Sequence, residues 1–592
     1  MNGVKPTLFT FSGRTARSRC VLPPQKVKSV GLTPVVGLCV LVVCGVAGGG
    51  EVFDAEARGF AAKVDAGALE LLPVVYRGRV AILDTVARDQ LDQMLRSHRV
   101  EGVPAVVAWL EIYFRAGQYA DRPLLHVREK NMRGFLAEHL DANTLPGFRA
   151  KRRIPPATLL DEEGWAALVR AGRAERDDIR RAGAIRSLRD ALPLLSDRPE
   201  FRVPTDRLSV RYSAFMATAV LRVVPGPAGQ WWALENVFAA AAAQTQPALP
   251  PIASKWLAIQ RAWRGRDAAE VNRLAGEVGR AFATDKADRC PPALARTLER
   301  IYNRTEHATF ALAGFCVSLV LLIVAAASGA RWARGLGLAI FSLSTLILAG
   351  AFVARWIVSG RGWLLPPIMN QYEAVIGSAM LAAVLAVGLE LASRRNYFAV
   401  AAGLYAAVSL LSGLLFPEQM DPGMKAQHGI LASPVMAVHV AVIIIGHALV
   451  GMTFFLSLTY LGAVAVAGLG GPSARPSSPA DLRGSEGLST LAALDRCNLI
   501  LAQLACWMVI AGTMLGAYWG DFAWGRWWGW DPKETWALIT CLVYIAVLHV
   551  RFVTPPRSRG LVTAIICLLG CLVMLFNWIG VNFFLAGKHS YA

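Results

Sequence analysis

Charge is scarce in this sequence. Only 17% of its 592 residues are Asp, Glu, Lys or Arg, where a soluble domain carries about 25%. That shortage accompanies 55% hydrophobic residues and a mean hydropathy of +0.42. Together they exclude a purely soluble enzyme, a disordered scaffold and a disulfide miniprotein, and they point to a membrane protein. No Cys-x-x-Cys pair occurs, so the chain has no dithiol of its own with which to reduce a disulfide. There is no P-loop, no Ser/His/Asp triad and no metal-ligating cysteine cluster. Cys39, Cys44, Cys316, Cys497, Cys506, Cys541, Cys567 and Cys571 lie in or beside apolar runs. Cys290 alone falls in the large polar region, so no disulfide framework is expected there. The net charge of +19 does not indicate nucleic acid. Many arginines gather at the ends of apolar runs, where they set membrane orientation.

Three compositional blocks follow one another. Residues 1–50 hold Lys5, Arg14, Arg17, Arg19, Lys26 and Lys28 with no acid before an apolar stretch from Val30 to about Ala47. This is the pattern of a signal peptide or signal anchor. Residues 51–306 are charged throughout and have no run long enough to span a bilayer. Arg79–Leu95 and Ala268–Phe282 show helical periodicity, and Pro155-Pro156, Pro225-Gly226-Pro227 and Pro250-Pro251 punctuate the block. It is expected to be a mostly helical extracytoplasmic domain whose histidines, His98, His126 and His139, are solvated. Residues 307–592 contain eight apolar runs, near 308–329, 336–357, 374–392, 397–416, 435–465, 497–518, 535–552 and 561–582. A bilayer core of about 30 Å needs roughly 20 such residues. The fold expected is therefore all-α: a polytopic helical membrane protein of about eight spans.

The flanks give the sidedness. Arg331 and Arg334, Arg394 and Arg395, Arg475 and Arg483, and Arg551, Arg557 and Arg559 follow alternate runs, so these four loops can all be cytoplasmic. The loops near 359–373, 417–434 and 519–534 and the C-terminus then face outward, on the same side as the exported block. The Gly-, Ser- and Pro-rich segment 466–488 reads as a flexible cytoplasmic linker.

The strongest chemical signal is in one of those outward loops. Six of the 17 tryptophans, Trp519, Trp524, Trp527, Trp528, Trp530 and Trp536, fall within residues 518–536, spaced by glycines. An interfacial aromatic belt needs one or two per helix end. Indoles offer broad rigid faces for a planar ligand, and glycines allow close backbone approach. Arg526 and Lys533 could pair with carboxylates on that ligand. A flat apolar ligand with carboxylates suggests a porphyrin, and histidine is a standard axial ligand to haem iron. His439, at the outer start of the fifth run, and His589, in the C-terminal tail, lie on the same side as the loop. His549 is fourteen residues beyond Thr535, about 21 Å inward along a helix. An ionisable group at that depth is a functional candidate. His447, eight residues after His439, is read as packing.

The run from Trp524-Gly525 through Trp527-Trp528-Gly529-Trp530-Asp531-Pro532-Lys533-Glu534, followed by Thr535-Trp536 and Leu548-His549-Val550-Arg551, closely resembles the tryptophan-rich WWD domain of haem-handling proteins. The type it most resembles is the CcsA/ResC cytochrome c assembly protein of the System II cytochrome c synthase. Asn370-Gln371-Tyr372-Glu373 resembles an outer-loop element of that family. Gly580-Val581-Asn582-Phe583-Phe584, leading to His589-Ser590-Tyr591, resembles its ending. Leu72–Arg79 and Leu83-Asp84-Thr85 resemble segments of enlarged members but suggest no chemical role.

The resemblance covers about residues 308–592 and implies roles. His439 and His589 would ligate haem beside a platform of Trp519, Trp524, Trp527, Trp528, Trp530, Asp531 and Trp536. His549 would belong to a transmembrane haem site nearer the cytoplasm, its second ligand coming from a CcsB/ResB-like membrane partner. His447 stands where the family more often has tyrosine. The protein would sit in the bacterial cytoplasmic membrane and present haem b for covalent attachment to the Cys-x-x-Cys-His of apocytochrome c, as a component of a haem lyase complex. A thioredoxin-like reductant is also implied. The alternatives are a haem exporter, or a WWD component of the other bacterial maturation system.

Overall fold

The computed structural model describes residues 52–587 other than 141, 176, 180–194, 196–197, 218–219, 227–229, 238–249, 285–289, 362–365, 369, 394, 418, 426–432, 470–485 and 586. The signal or anchor expected over residues 1–50 lies outside them.

Residues 52–306 are helical around a small antiparallel sheet. β1 (Pro73–Tyr76) pairs with β2 (Arg79–Ile82), with Val74 opposite Ala81 and Val75 opposite Val80. The Arg77-Gly78 turn between them has positive φ at both residues, 50° and 81°, which matches the right-handed twist of a two-residue hairpin. The sheet was not anticipated, and the helix expected from Arg79 begins only after β2, at Leu83. α1 (Leu83–Leu95), α2 (Ala105–Phe114) and α3 (Pro199–Met216) follow. β3 (Arg222–Pro225) and β4 (Trp231–Ala233) complete the sheet, in the order β2-β1-β3-β4. α4 (Pro251–Arg264) and α5 (Ala268–Thr284) close the core.

All ten residues of α2 are buried. At ten residues it is a core helix, too short to cross a bilayer. Beside it the buried Arg173 donates to the carbonyls of Tyr113 (2.8 Å), Phe215 (3.0 Å) and Met216, and its guanidinium lies 4.3 Å from the Tyr113 ring centre. Buried Glu111 accepts from Tyr119 and from the Trp263 indole, both at 2.8 Å.

α6 (Ala293–Arg304) leads into eight helices that, among the described residues, are long and apolar enough to cross a membrane. These are α7 (His307–Ser328), α8 (Arg331–Ser359), α9 (Gln371–Ser393), α10 (Tyr397–Leu415), α11 (Pro434–Leu469), α12 (Glu486–Trp524), α13 (Pro532–Val553) and α14 (Arg559–Leu575). A π-helical turn, Phe576–Gly580, extends α14. The protein is a helical, polytopic membrane protein. α12 far exceeds the run expected at 497–518. Its apolar sequence stops near Asp495 and Arg496, but the backbone ladder does not. Asp495 is satisfied by Arg551 of α13 at 2.7 and 2.9 Å.

The helices run up and down, so one end of the bundle (here the near end) carries the N-terminal block, the 416–433 connection and the tryptophan-rich loop. α11 and α12 pack antiparallel with glycines at their contact. A side chain at Gly446 would meet Val509 at 3.0 Å, and one at Gly512 would meet Ile443 at 2.9 Å. Small residues let membrane helices approach this closely.

The N-terminal block is fastened to the near end through the segments that had no role in the sequence. Arg77, in the β1–β2 turn, donates to Asp89 (2.9 and 3.1 Å) and to Asp421 of the 416–433 connection (2.6 Å). Burial and the Asp89 carboxylate push the Tyr76 phenol up to about 12. Desolvation works to lower the Arg77 guanidinium, but the Asp89 and Asp421 carboxylates hold it above its usual range. Arg79 and Thr85 both donate to Glu299 of α6, at 2.6 Å each. Arg355 of α8 bonds Glu373 of α9 at 2.9 and 3.0 Å, and also reaches the Tyr302 hydroxyl (3.2 Å) and the Pro422 carbonyl (2.8 Å). Asn370 caps α9 by accepting from the Glu373 amide at 2.7 Å. The Asn-x-Tyr-Glu element is thus a helix start joined to a buried ion pair.

Candidate functional site: the tryptophan-rich loop and its histidines

α12 ends at Trp524. Gly525 takes a left-handed φ of 69°, and its amide bonds the Asp521 carbonyl at 2.8 Å, a glycine stop. Irregular chain runs only to Trp530, itself left-handed at φ 55°. α13 then begins with a capping box. The Asp531 side chain accepts from the Lys533 amide at 3.2 Å, and Glu534 accepts from the Asp531 amide at 3.1 Å and the Gly529 amide at 2.7 Å, with Pro532 in the first turn. Asp, Pro and Glu at N-cap, N1 and N3 is what a helix start requires. The Asp-Pro-Lys-Glu motif therefore has a structural task, starting α13, and the signal for it lies in its spacing.

The tryptophans divide. Trp527 and Trp530 are 51% and 70% exposed. Trp530 stands edge-on to Trp528, with ring centres 6.0 Å apart, and Trp527 lies 5.7 Å from Tyr518. Trp524, Trp528 and Trp536 are half-buried, and Trp536 packs on Phe576 at 4.4 Å. Trp519 differs from the expected platform. It is 2% exposed and packs edge-on against Trp524 at 5.0 Å, because it lies on the inward face of α12. Asp531 is buried in its cap rather than turned outward. Arg526 lies against Gly529, and Lys533 turns inward to the Trp578 carbonyl at 3.3 Å.

His439 stands on α11 directly over α12. Its Nδ1 is 2.8 Å from the Gly512 carbonyl. A carbonyl only accepts, so Nδ1 carries the proton and the lone pair is on Nε2. This is the usual preparation of a metal-ligating imidazole. Gly516 makes room for the ring, since a Cβ there would lie 2.7 Å from His439 Cε1. Trp519 follows within a turn of Gly516, and the loop begins at Gly525, two and a half turns (about 13 Å) further along α12. The C-terminal tail reaches the cap of α13, where the loop ends. A Cβ on Gly587 would lie 2.7 Å from Asp531 Oδ1 and 3.1 Å from Pro532 Cδ. His589, two residues further on, lies outside the described residues.

His549 is not brought to this group. It is exposed on the outer surface of α13, its Nδ1 bonded to the Ile545 carbonyl at 2.8 Å and its ring 6.1 Å from Phe552. Arg551, two residues on, turns the opposite way to Asp495. His447 is buried, with its ring 4.9 Å from the indole of Trp578. The π turn that holds Trp578 was not legible in the sequence.

A family model described as cytochrome C assembly protein matches residues 312–589, from within the first span through the loop to His589 in the tail. The chain is 30% identical over 302 residues to the cytochrome c biogenesis protein CcsA of Parasynechococcus marenigrum, covering 47% of this chain and 94% of that protein. It is 29% identical over 267 residues to CcsA of Prochlorococcus marinus, covering 42% and 82%. Protein NrfI of Wolinella succinogenes is 32% identical over 260 residues, 43% of this chain; the match spans only 26% of NrfI. The chain belongs to the cytochrome c assembly protein family and is of the CcsA type. Its work lies in cytochrome c biogenesis, and its family implies that it handles haem.

Proposed function

We propose that this protein receives haem b within the bacterial cytoplasmic membrane and presents it on the outer face, at the near end of the bundle, for covalent attachment to apocytochrome c. One observation carries the reading. A histidine with its Nδ1 proton already committed to a backbone carbonyl stands beneath a loop of half-exposed and exposed indoles, and the tail bearing a second histidine docks on that loop's cap. His439 Nε2 is the inner axial ligand. His589 is the other, tethered two residues beyond Gly587 and so within about 7 Å of it. Trp527, Trp528 and Trp530 offer faces to the macrocycle.

His549 belongs to an earlier stage. An imidazole on the outer surface of a membrane helix is costly facing lipid alone. A CcsB/ResB-like partner helix covering α13 and supplying a second ligand would remove that cost. The Cys-x-x-Cys-His segment of apocytochrome c, kept reduced by a thioredoxin-like protein, then meets the presented haem. Each thiol adds across a vinyl group, sulfur to one carbon and the proton to the other. The chain's contribution is positioning, a large effect when reacting atoms are held at attack distance.

Coexpression with a CcsB/ResB-like partner and a reporter apocytochrome, in a host lacking its own maturation system, tests this. The reporter acquires covalent haem with the wild-type chain and none with His439→Ala or His589→Ala, and added imidazole restores part of it. His549→Ala lowers the haem recovered at both sites. Haem accumulating outside over an unmodified reporter would favour an exporter instead.

A further inference from the structure

Below the loop lies a second polar group that neither the capping box nor the three histidines above use. His447, two turns further along α11 than His439, is 6% exposed, and its Nδ1 is buried with no hydrogen-bond partner among the described residues. A buried donor or acceptor left unsatisfied destabilises the fold, so a histidine that merely packed would be better replaced by an apolar ring. Its imidazole is held against Trp578, with ring centres 4.9 Å apart and inclined at 34°. The Trp578 carbonyl accepts from Lys533 Nζ at 3.3 Å. One residue of the π turn thus gathers an imidazole from α11 and an ammonium from the first turn of α13. Single π turns inside α-helices occur frequently at functional sites. Asn577, in the same turn, also has a buried oxygen without a partner among the described residues.

An ammonium and an N–H donor held together under an aromatic loop are the donor set for a carboxylate. We propose that His447 and Lys533 form a carboxylate-binding subsite that takes one acidic arm of the planar ligand while His439 holds its centre. This deepens the haem reading and rests on it, since the propionates are the carboxylates of haem. The eight residues between His439 and His447 rise about 12 Å, comparable with the reach from the centre of a porphyrin to the end of its acidic arm. His447 is a binding and positioning residue here, not an iron ligand.

The test titrates the full-length protein in detergent with haem and with haem dimethyl ester, in which both carboxylates are masked, and follows the Soret band. The wild type binds haem at least tenfold more tightly than the ester. His447→Phe, which keeps a ring against Trp578, and Lys533→Met each bring that ratio close to one. The Soret position of the bound ester, which reports iron ligation, stays where it was and shows that the variant is folded. Equal binding of both compounds by the wild type, or a ratio unchanged in His447→Phe, overturns the subsite and leaves the haem reading standing. No ligated Soret with either compound overturns both.

Discussion

Gly516→Ala places a methyl group 2.7 Å from His439 Cε1 and 3.1 Å from its Nδ1. Ordinary carbon contacts lie at about 3.5–4.0 Å, so the ring must retreat by roughly 1 Å. It then leaves the Gly512 carbonyl, now 2.8 Å away, at a cost of about 1 kcal/mol for the hydrogen bond. Alanine in a helix interior returns about 1 kcal/mol relative to glycine. The atom displaced belongs to a side chain and not to backbone. The fold should therefore stay within about 1 kcal/mol of wild type while the proposed ligand moves. A misplacement of about 1 Å can lower a positioned reaction about 100-fold. The assay pairs thermal unfolding in detergent with covalent haem on the coexpressed reporter. Gly350→Ala, in α8, is the control, because a methyl there meets nothing within 4 Å. Unchanged stability with maturation reduced about 100-fold is expected of Gly516→Ala alone. Wild-type maturation with an unaltered Soret band would refute the role given to the His439–Gly516 approach.

Asp531→Asn keeps a good N-cap and should leave the unfolding midpoint almost unmoved, whereas Asp531→Ala should lose about 1 kcal/mol; equal losses would show that the charge, not the cap, matters. The Arg77–Asp421 pair is partly exposed and should contribute about 0.5–1 kcal/mol, measurable as the coupling in a double-mutant cycle. Although burial opposes it, Arg77 holds the Asp421 carboxyl below its ordinary value. That contribution is therefore full above the ordinary carboxylate pKa and is lost as pH falls through the lowered one. Arg77→Ala should remove this acid-side loss of the coupling from a pH series of unfolding midpoints. Arg173→Leu strands the buried carbonyls of Tyr113, Phe215 and Met216 and removes the Arg173 ion pair from Glu235. It should cost about 3–5 kcal/mol, seen as proteolysis of residues 52–306; resistance equal to wild type would contradict it.

The eight spans were legible because lipid demands long apolar helices. Their ends were less so, since hydropathy marks the bilayer while a helix such as α12 continues through Asp495 and Arg496. The sheet of the N-terminal block was missed because its strands are three or four residues long, too short for a clear alternation. Composition located the tryptophan cluster but could not say which indoles face inward; only the packing of α12 buries Trp519. The Asp-Pro-x-Glu capping pattern was available in the sequence and was outweighed by the aromatic signal around it. The outward aim of His549 could have been read from Arg551, which must seek a charge and lies 200° away on an ideal helix. Nothing in Asn577-Trp578-Ile579-Gly580 announced a π turn, so the neighbours of His447 could be learned only from the fold.

The central claim is that His439 offers Nε2 to haem iron under the tryptophan-rich loop. The protein should be purified with its CcsB/ResB-like partner from haem-replete cells and its Soret spectrum recorded for wild type and for His439→Gly, with and without imidazole. The account predicts a two-histidine haem spectrum in the wild type, its loss in the variant, and its return when imidazole fills the space left by the side chain. A spectrum that His439→Gly leaves unchanged would contradict it.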